Sequence, residues 1–153
     1  MKKYSVFIVL VFILCLSGCG NRTAAQVDLS VLRENLLSEA HLADPLEIPG
    51  DRLQELYGVK AEDVADSICI TTLSGTYADE IIVIRSVDQN AAQRIADTLE
   101  TYKQEQMNQS RDYDPARFSL LKDCKTLRRE SFVALFLSEE HEKLETVFQQ
   151  AFS

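Results

Sequence analysis

After residue 27, the first regular pattern along the chain is one of apolar residues repeated at the spacing of an α-helix. Asp28 can cap a helix whose apolar face starts at the next residue and which should end before Pro45. Asp51, with Gln54 three residues later, has the spacing of a capping box, and Gly58 is a plausible stop, so a second, short helix is predicted. The apolar positions of these two helices are Leu29, Leu32, Leu36, Leu37, Ala40, Leu53, Leu56 and Tyr57.

The period then changes to that of β-strands. Residues 67–73 and 80–85 are short and rich in Ile, Val and Thr, and the turn cluster Ser74-Gly75-Thr76 separates them. This pattern predicts a β-hairpin. Residues 125–129 and 132–137 predict a second hairpin.

Helical patterns follow each hairpin, and a further one lies between them. Asp88 opens a long helix that should fray over residues 104–110. Asp114 suits the cap and Pro115 the first position of a helix of two or three turns. Ser138 closes the second hairpin and is expected to cap the last helix. The apolar stripes of the long and last helices are Ala92, Ile95, Ala96, Leu99, Tyr102 and Leu144, Val147, Phe148, Ala151, Phe152.

This order of elements predicts the fold class. Strand, strand and helix occur twice after an N-terminal helical segment, which raises the idea of a degenerate ββα duplication. The economical architecture is a two-layer α+β fold, in which helices cover one face of a four-stranded, mainly antiparallel sheet. We expect a single domain over residues 28–153.

The first eighteen residues have the parts of a secretory signal. Lys2 and Lys3 precede an apolar run over residues 6–16, and the small residues Ser17 and Gly18 follow. A membrane-spanning helix needs about 20 apolar residues, so this run is too short. The lysines should stay on the cytoplasmic side, and the rest of the chain should pass outward.

The end of this signal, Leu16-Ser17-Gly18-Cys19, resembles the lipobox of bacterial lipoproteins. The resemblance implies cleavage between Gly18 and Cys19 and S-diacylglycerol on the Cys19 thiol, with N-acylation of the new terminus left open. Two acyl chains give stable anchoring where one binds only reversibly. It therefore implies a protein anchored by membrane lipid at the outer face of the bacterial cytoplasmic membrane, with residues 19–27 as a tether.

Loss of the signal leaves 14 basic against 24 acidic residues, a formal charge of −10. Such a domain should repel nucleic acid and anionic headgroups, so we expect no nucleic-acid partner.

Two cysteines, Cys69 and Cys124, remain available to each other, because Cys15 leaves with the signal and Cys19 is alkylated. In an oxidising compartment they could form a disulfide, or they could stay as free buried thiols. Strand pairing decides between the two, since a disulfide needs Cα atoms within about 7 Å.

Three sequence pieces stand in order between Leu46 and Phe152: LQELYGV at 53–59, ADEIIVI at 78–84 and YDP at 113–115, followed by the closing hairpin and helix. In these pieces the stretch resembles a family of bacterial lipoproteins called domain of unknown function 4358. One departure is Glu130-Ser131 in the last hairpin turn, where the family leads us to expect a glycine. The activity of the family is unknown, so the resemblance implies only the cellular location and the fold.

Catalytic and metal-binding patterns are absent from the sequence. The run Glu139-Glu140-His141-Glu142 lies on a predicted helix, where consecutive side chains point in different directions and cannot share one ion. The chain has no G-x-S-x-G elbow, phosphate-cradling loop or C-x-x-C pair. Apolar surroundings should raise the pKa of the Cys69 and Cys124 thiols. We therefore expect no catalytic residue, no metal site and no cofactor.

The segment over residues 111–117 is the most distinctive local feature, with an aromatic residue between charges in a loop. Its candidate binding residues are Tyr113, Asp114 and Arg117. The alternative is that Tyr113 is a hydrophobic staple that packs near Phe118.

These observations favour a non-catalytic, lipid-anchored binding or interaction module that contacts an unidentified envelope protein or ligand. A small extracytoplasmic hydrolase and a small-ligand carrier are the alternatives.

Overall fold

The computed structural model describes residues 27–72 and 78–153. The signal, Cys19, most of the tether and the turn Ser74-Gly75-Thr76 lie outside the described residues. The helices are α1 (Leu29–Ala40), α2 (Leu53–Tyr57), α3 (Gln89–Ser110), α4 (Pro115–Asp123) and α5 (His141–Gln150). The strands are β1 (Pro45–Glu47), β2 (Val64–Thr72), β3 (Glu80–Ser86), β4 (Leu127–Arg129) and β5 (Phe132–Leu137).

The strands form one open antiparallel sheet in the order β1-β2-β3-β5-β4. Both predicted hairpins are confirmed, with Ile70 opposite Ile81 in the first and Arg129 opposite Phe132 in the second. The hairpins meet where β3 pairs with β5, for example Ile82 opposite Leu135. The α+β class is therefore confirmed.

The predicted strand number is wrong, because the described part of the chain has five strands. The missed strand, β1, pairs with the last residues of β2, with Pro45 opposite Thr72. It has three residues, all exposed, and so shows no alternation of apolar and polar positions. Proline is tolerated at such an edge because its missing N–H would face solvent.

The predicted two-layer arrangement is also wrong, because helices cover both faces of the sheet. All six residues of β5 are buried, and successive side chains of a strand point to opposite faces. An apolar run without alternation therefore needs two covered faces. The side of the sheet packed on α2, α3 and α4, called the α3 face, carries Cys69, Ile82, Ile84, Val133, Leu135 and Leu137. The side packed on α1 and α5, called the α5 face, carries Ile68, Ile70, Ile81, Val83, Phe132, Ala134 and Phe136.

The positions of the two helices also contradict a structural ββα duplication. Strands β3 and β5 are adjacent and antiparallel, so a two-fold rotation about an axis perpendicular to the sheet superimposes one hairpin on the other. Such a rotation does not exchange the two faces of the sheet, so in a duplication the helices after the two hairpins would lie on the same face. Instead α3 follows the first hairpin on one face and α5 follows the second on the opposite face.

Three predicted helix starts are confirmed by their caps. The carboxylate of Asp28 accepts from the Ser30 N–H at 2.8 Å, and that of Asp88 accepts from the Ala91 N–H at 2.7 Å. The Asp114 carboxylate accepts from the N–H of Arg117 at 2.9 Å. Each cap satisfies a backbone donor that the first helical turn leaves without a partner.

Other helix boundaries differ from the prediction. Helix α3 does not fray but continues to Ser110, because Met107 and Ser110 are buried and extend its packed stripe. Asp51 makes no cap bond and lies in a 3₁₀ turn before α2. Ser138 accepts from the Glu140 N–H at 3.3 Å but precedes a turn, and α5 starts only at His141.

The turn of the second hairpin places Glu130 at φ 53°, in the left-handed region. This backbone conformation favours glycine, which explains why a glycine was expected there.

The strands give the molecule an upper and a lower end. At the upper end β2 stops at Thr72 and β3 starts at Glu80, and at the lower end β3 stops at Ser86. Helices α1 and α5 lie side by side on the α5 face and connect the two ends. Within the described ranges, no helix combines the length and apolar character needed to cross a bilayer.

Candidate binding cleft

An open cleft of about 620 Å³ lies at the upper end of the molecule. Four chain segments form it: the end of α1, the residue before β3, the first turns of α4, and the loop between β5 and α5. Its lining is mostly polar or charged and consists of Ala40, His41, Asp79, Asp114, Ala116, Arg117, Leu120, Ser138, Glu139 and Glu140.

The start of α4 places Asp114 and Arg117 on one wall. Pro115 occupies the first turn with its φ already suited to a helix, and the Asp114 carboxylate caps that turn. The Arg117 guanidinium then reaches across to donate to the carbonyl of Ala78 at 3.0 Å. This bond fixes α4 to the segment that leads into β3.

Asp79 lies on the wall formed by that segment. Its backbone N–H donates to the Thr72 hydroxyl at 3.0 Å, and its carbonyl accepts from the Thr72 N–H at 3.2 Å. Burial raises the pKa of the Asp79 carboxyl, and the nearby charge of Glu139 raises it further, whereas Arg117 and Ser138 oppose the shift.

Beside Asp79, Glu80 points into the α3 face and is 9% exposed. The Tyr102 hydroxyl is 2.8 and 3.0 Å from its two carboxylate oxygens and donates to them, and Tyr57 supplies a second hydroxyl. The two tyrosine rings pack edge to face with centroids 5.1 Å apart. Burial raises the pKa of the Glu80 carboxyl despite these donors and the nearby charge of Arg117.

The tyrosines stay protonated as donors over the whole neutral range. Burial raises the pKa of both the Tyr57 and Tyr102 hydroxyls, and the negative charge of Glu80 raises it further. Sequence reasoning missed Glu80 as a site residue. The usable signal was its place on the same face of β3 as Ile82 and Ile84, two positions and four positions along the strand.

The loop before α5 closes the far wall of the cleft. The Lys143 ammonium lies 2.6 Å from a Glu140 carboxylate oxygen, and this hydrogen bond lowers the pKa of the Glu140 carboxyl. At the end of α1, His41 adopts a left-handed conformation with φ 49°, and its Nδ1 lies 2.8 Å from the Glu39 carbonyl. The cleft thus offers carboxylates, a guanidinium, a hydroxyl and an imidazole to a polar molecule.

The structure brings two of the three predicted binding residues into the cleft. Asp114 and Arg117 line it, whereas Tyr113 does not and is 87% exposed. That exposure also rules out the alternative in which Tyr113 packs near Phe118. The Arg111 guanidinium occupies that position, 5.6 Å from the centroid of the Phe118 ring.

Cys69 and Cys124 are both buried and carry free thiols in this structure, and whether they form a disulfide in the exported protein stays a prediction. Burial raises the pKa of the Cys69 thiol to about 12 and that of Cys124 to about 11. The Cys124 thiol donates to the Leu120 carbonyl at 3.3 Å. Both therefore remain protonated near neutral pH.

The acidic run at the start of α5 does not converge on one point. His141 is buried and places its Nδ1 3.3 Å from a carboxylate oxygen of Glu145, one turn further along the helix. In residues 27–72 and 78–153, no group of three or more His, Cys, Asp or Glu side chains is arranged to hold a metal ion.

Comparison with known proteins gives one match. The family model described as domain of unknown function (DUF4358) matches residues 38–138, from the last turn of α1 to the cleft residue Ser138. No curated protein and no solved structure matches the chain.

Proposed function

The chain belongs to the family described as domain of unknown function (DUF4358), and we propose that it is a non-catalytic binding module of the bacterial cell envelope. In this proposal lipid on Cys19 holds the mature protein at the outer face of the cytoplasmic membrane. The upper-end cleft binds a polar group of an envelope protein or ligand.

The anchor rests on the order of residues 1–19. Two lysines, a short apolar run and small residues precede Cys19, whose thiol is the nucleophile needed for a thioether to diacylglycerol. At about 0.8 kcal/mol per buried CH₂, two acyl chains retain a protein without a spanning helix.

The cleft is the observation that carries the binding role. Its volume of about 620 Å³ lies within the range of about 300–1,000 Å³ that is common for ligand sites. Asp79 and Arg117 face it from two different segments, and Arg117 is held by its bond to the Ala78 carbonyl. Prepositioned polar groups of this kind reduce the entropy lost when a partner binds.

A binding role fits the protonation of the buried groups better than a catalytic role. A thiolate is the reactive form of cysteine, and the raised pKa values of Cys69 and Cys124 keep both as thiols. The Glu80 carboxylate is covered by tyrosine hydroxyls and points away from the cleft lining.

The anchor is tested by labelling cells with radioactive fatty acid. We expect label on the wild-type protein and none on the Cys19→Ala variant, because only that thiol survives next to the cleavage site. Cys15→Ala is the matched control and should label like the wild type, since position 15 leaves with the signal. Label that persists in Cys19→Ala would contradict the proposal.

The cleft is tested by photo-cross-linking in intact cells. A photoreactive amino acid at Ala116, which is exposed in the cleft wall, should give a discrete adduct. The same group at Val87, which is exposed at the lower end, is the control and should not. Equal adducts from both positions, or none from Ala116 under several growth conditions, would count against a partner in the cleft.

A small-ligand carrier is the second candidate, favoured by the volume of the cleft. A ligand that binds only the folded protein raises its melting temperature, so thermal shift against a panel of polar metabolites tests it. Ala116→Trp, which would obstruct part of the cleft, should weaken any shift.

A further inference from the structure

We propose that the cleft is the surface that the anchored protein presents away from the membrane, and that its partner is a hydrophilic molecule from the aqueous side and not bilayer lipid. This inference rests on the anchoring at Cys19 proposed above. It follows from where the chain enters the fold and where the cleft opens.

The chain enters the described structure at the lower end. Val27 and Asp28 lie at the start of α1, beside Val147, Gln150 and Ala151 at the end of α5. Phe152, just beyond α5, packs on Phe132 with ring centroids 5.4 Å apart, and Phe132 is the first residue of β5. The start of α1 is thereby tied to the end of the sheet opposite the cleft.

Helix α1 connects this entry point to the cleft. Its last residue, Ala40, and the following His41 line the cleft together with the loop before α5. Twelve helical residues span about 18 Å, so entry point and cleft are separated by at least that distance along a rigid element. Leu32, Leu36 and Ala40 are buried against the sheet, which prevents α1 from turning independently.

The tether is too short to let the molecule turn over easily. Eight peptide steps join Cys19 to Val27, and they span at most about 29 Å when fully extended. To bring the cleft to the bilayer, the tether would have to pass beside the length of the domain near full extension. Holding any linker near full extension costs conformational entropy, so the lower end stays nearer the membrane.

The chemistry of the cleft also indicates that it faces away from the membrane. Asp79, Arg117, Ser138 and Glu139 would have to leave water to enter a bilayer, and the transfer of charged and polar groups into an apolar medium is expensive. Carboxylates outnumber the guanidinium in the lining, so anionic lipid headgroups would also be repelled.

The test measures energy transfer from the protein to the membrane. The native thiols Cys69 and Cys124 are buried, so one introduced thiol accepts the dye selectively. Val31→Cys marks the lower end and Tyr113→Cys the cleft end, both at exposed positions. The lipidated protein is placed on vesicles of phosphatidylcholine and phosphatidylglycerol that contain a trace of acceptor-labelled phosphatidylethanolamine. The protein without an introduced thiol should take up no dye.

We expect higher transfer efficiency from position 31 than from position 113. A flexible Gly-Ser insertion after Gly20 should reduce this difference, because the domain then turns more freely. Equal or higher transfer from position 113 would overturn the inference while the anchor stands. Failure of the wild-type protein to float with the vesicles would overturn the anchor and, with it, this inference.

Discussion

Two buried carboxylates, at opposite ends of the molecule, have their pKa values shifted in opposite directions. Asp63 at the lower end is 3% exposed and is held by the Arg94 guanidinium, whose Nε donates to Oδ2 at 3.1 Å. The hydrogen bond from Arg94 lowers the pKa of Asp63 against the opposing effect of burial. Glu80 at the upper end has tyrosine hydroxyls as its nearest donors, and burial raises its pKa.

The difference shows that the hydrogen bond from a charged partner outweighs burial at Asp63, whereas two phenols and the nearby charge of Arg117 do not outweigh burial at Glu80. A guanidinium adds Coulombic attraction to the hydrogen bond, whereas a phenol supplies the hydrogen bond alone. Asp63 therefore stabilises the folded state when ionised. Glu80 destabilises the folded state when it is ionised. Glu80 is the neighbour along the chain of Asp79, which lines the cleft. The upper end thus carries a group that is less well satisfied than its counterpart at the lower end.

The largest effect is expected from removing the hydroxyl that supports Glu80. Tyr102→Phe leaves the buried carboxylate with a missing donor, and we expect the free energy of unfolding at pH 7 to fall by about 1–3 kcal/mol. Urea denaturation measures it. Tyr113→Phe deletes the same group at an 87% exposed position and should leave stability unchanged. Equal losses in both variants would contradict this account of Glu80.

A smaller effect is expected from neutralising Glu80 itself. The pKa of Glu80 in the folded protein is raised above the ordinary value of 4.5. The contribution of Glu80 to the free energy of unfolding is therefore fully present below pH 4.5 and is lost as the pH rises through the folded pKa. Glu80→Gln should remove this loss and make the variant more stable than the wild type at pH 7, because a neutral side chain carries no charge to desolvate.

The measurement is the free energy of unfolding of both proteins between pH 4 and pH 8. The exposed Glu34→Gln is the matched control and should follow the wild-type curve. If Glu80→Gln ran parallel to the wild type across this range, the raised pKa would be refuted.

The smallest effect is expected at the lower end, and with the opposite sign. The pKa of Asp63 is lowered from 3.8, so its contribution is present above that value and is lost as pH falls through the folded pKa. Asp63→Asn should therefore be less stable than the wild type at neutral pH, and the gap should close in acid. The loss is moderated because Arg94 is 54% exposed and water can replace the carboxylate.

Thermal unfolding of the wild type and of Asp63→Asn, at pH 7 and in acid, checks this prediction. Added salt should narrow the gap at pH 7, since a half-exposed ion pair is screened. If the stability difference between the wild type and Asp63→Asn widened in acid, the pKa of Asp63 would be raised, like that of Glu80, and the comparison would fail.

The candidate site was only partly within reach of the sequence. Asp114 and Arg117 could be found because the Asp-Pro start of α4 is a local signal that also fixes where Arg117 lies one turn later. Asp79 could not be found, and the burial of Glu80 was indicated only by its place on the same face of β3 as Ile82 and Ile84. They look like the exposed start of an ordinary strand, and their surroundings come from Tyr102, Arg117 and Ser138, which lie far along the chain.

The sequence by itself determined three of the helix starts and both hairpins. An aspartate cap acts within three residues of its own position, and hairpin strands are neighbours along the chain, so each signal lies inside a short window. Asp28, Asp88 and Asp114 accordingly cap the helices that they predicted.

Only the tertiary structure decided the fifth strand, the second helical layer and the cleft. Three exposed residues become β1 because β2 offers them an edge, and α1 covers the α5 face because α5 lies beside it. The cleft joins segments from Ala40 to Glu140. Contacts between such distant segments depend on which faces remain uncovered after the sheet has formed, and no local pattern of residues carries that information.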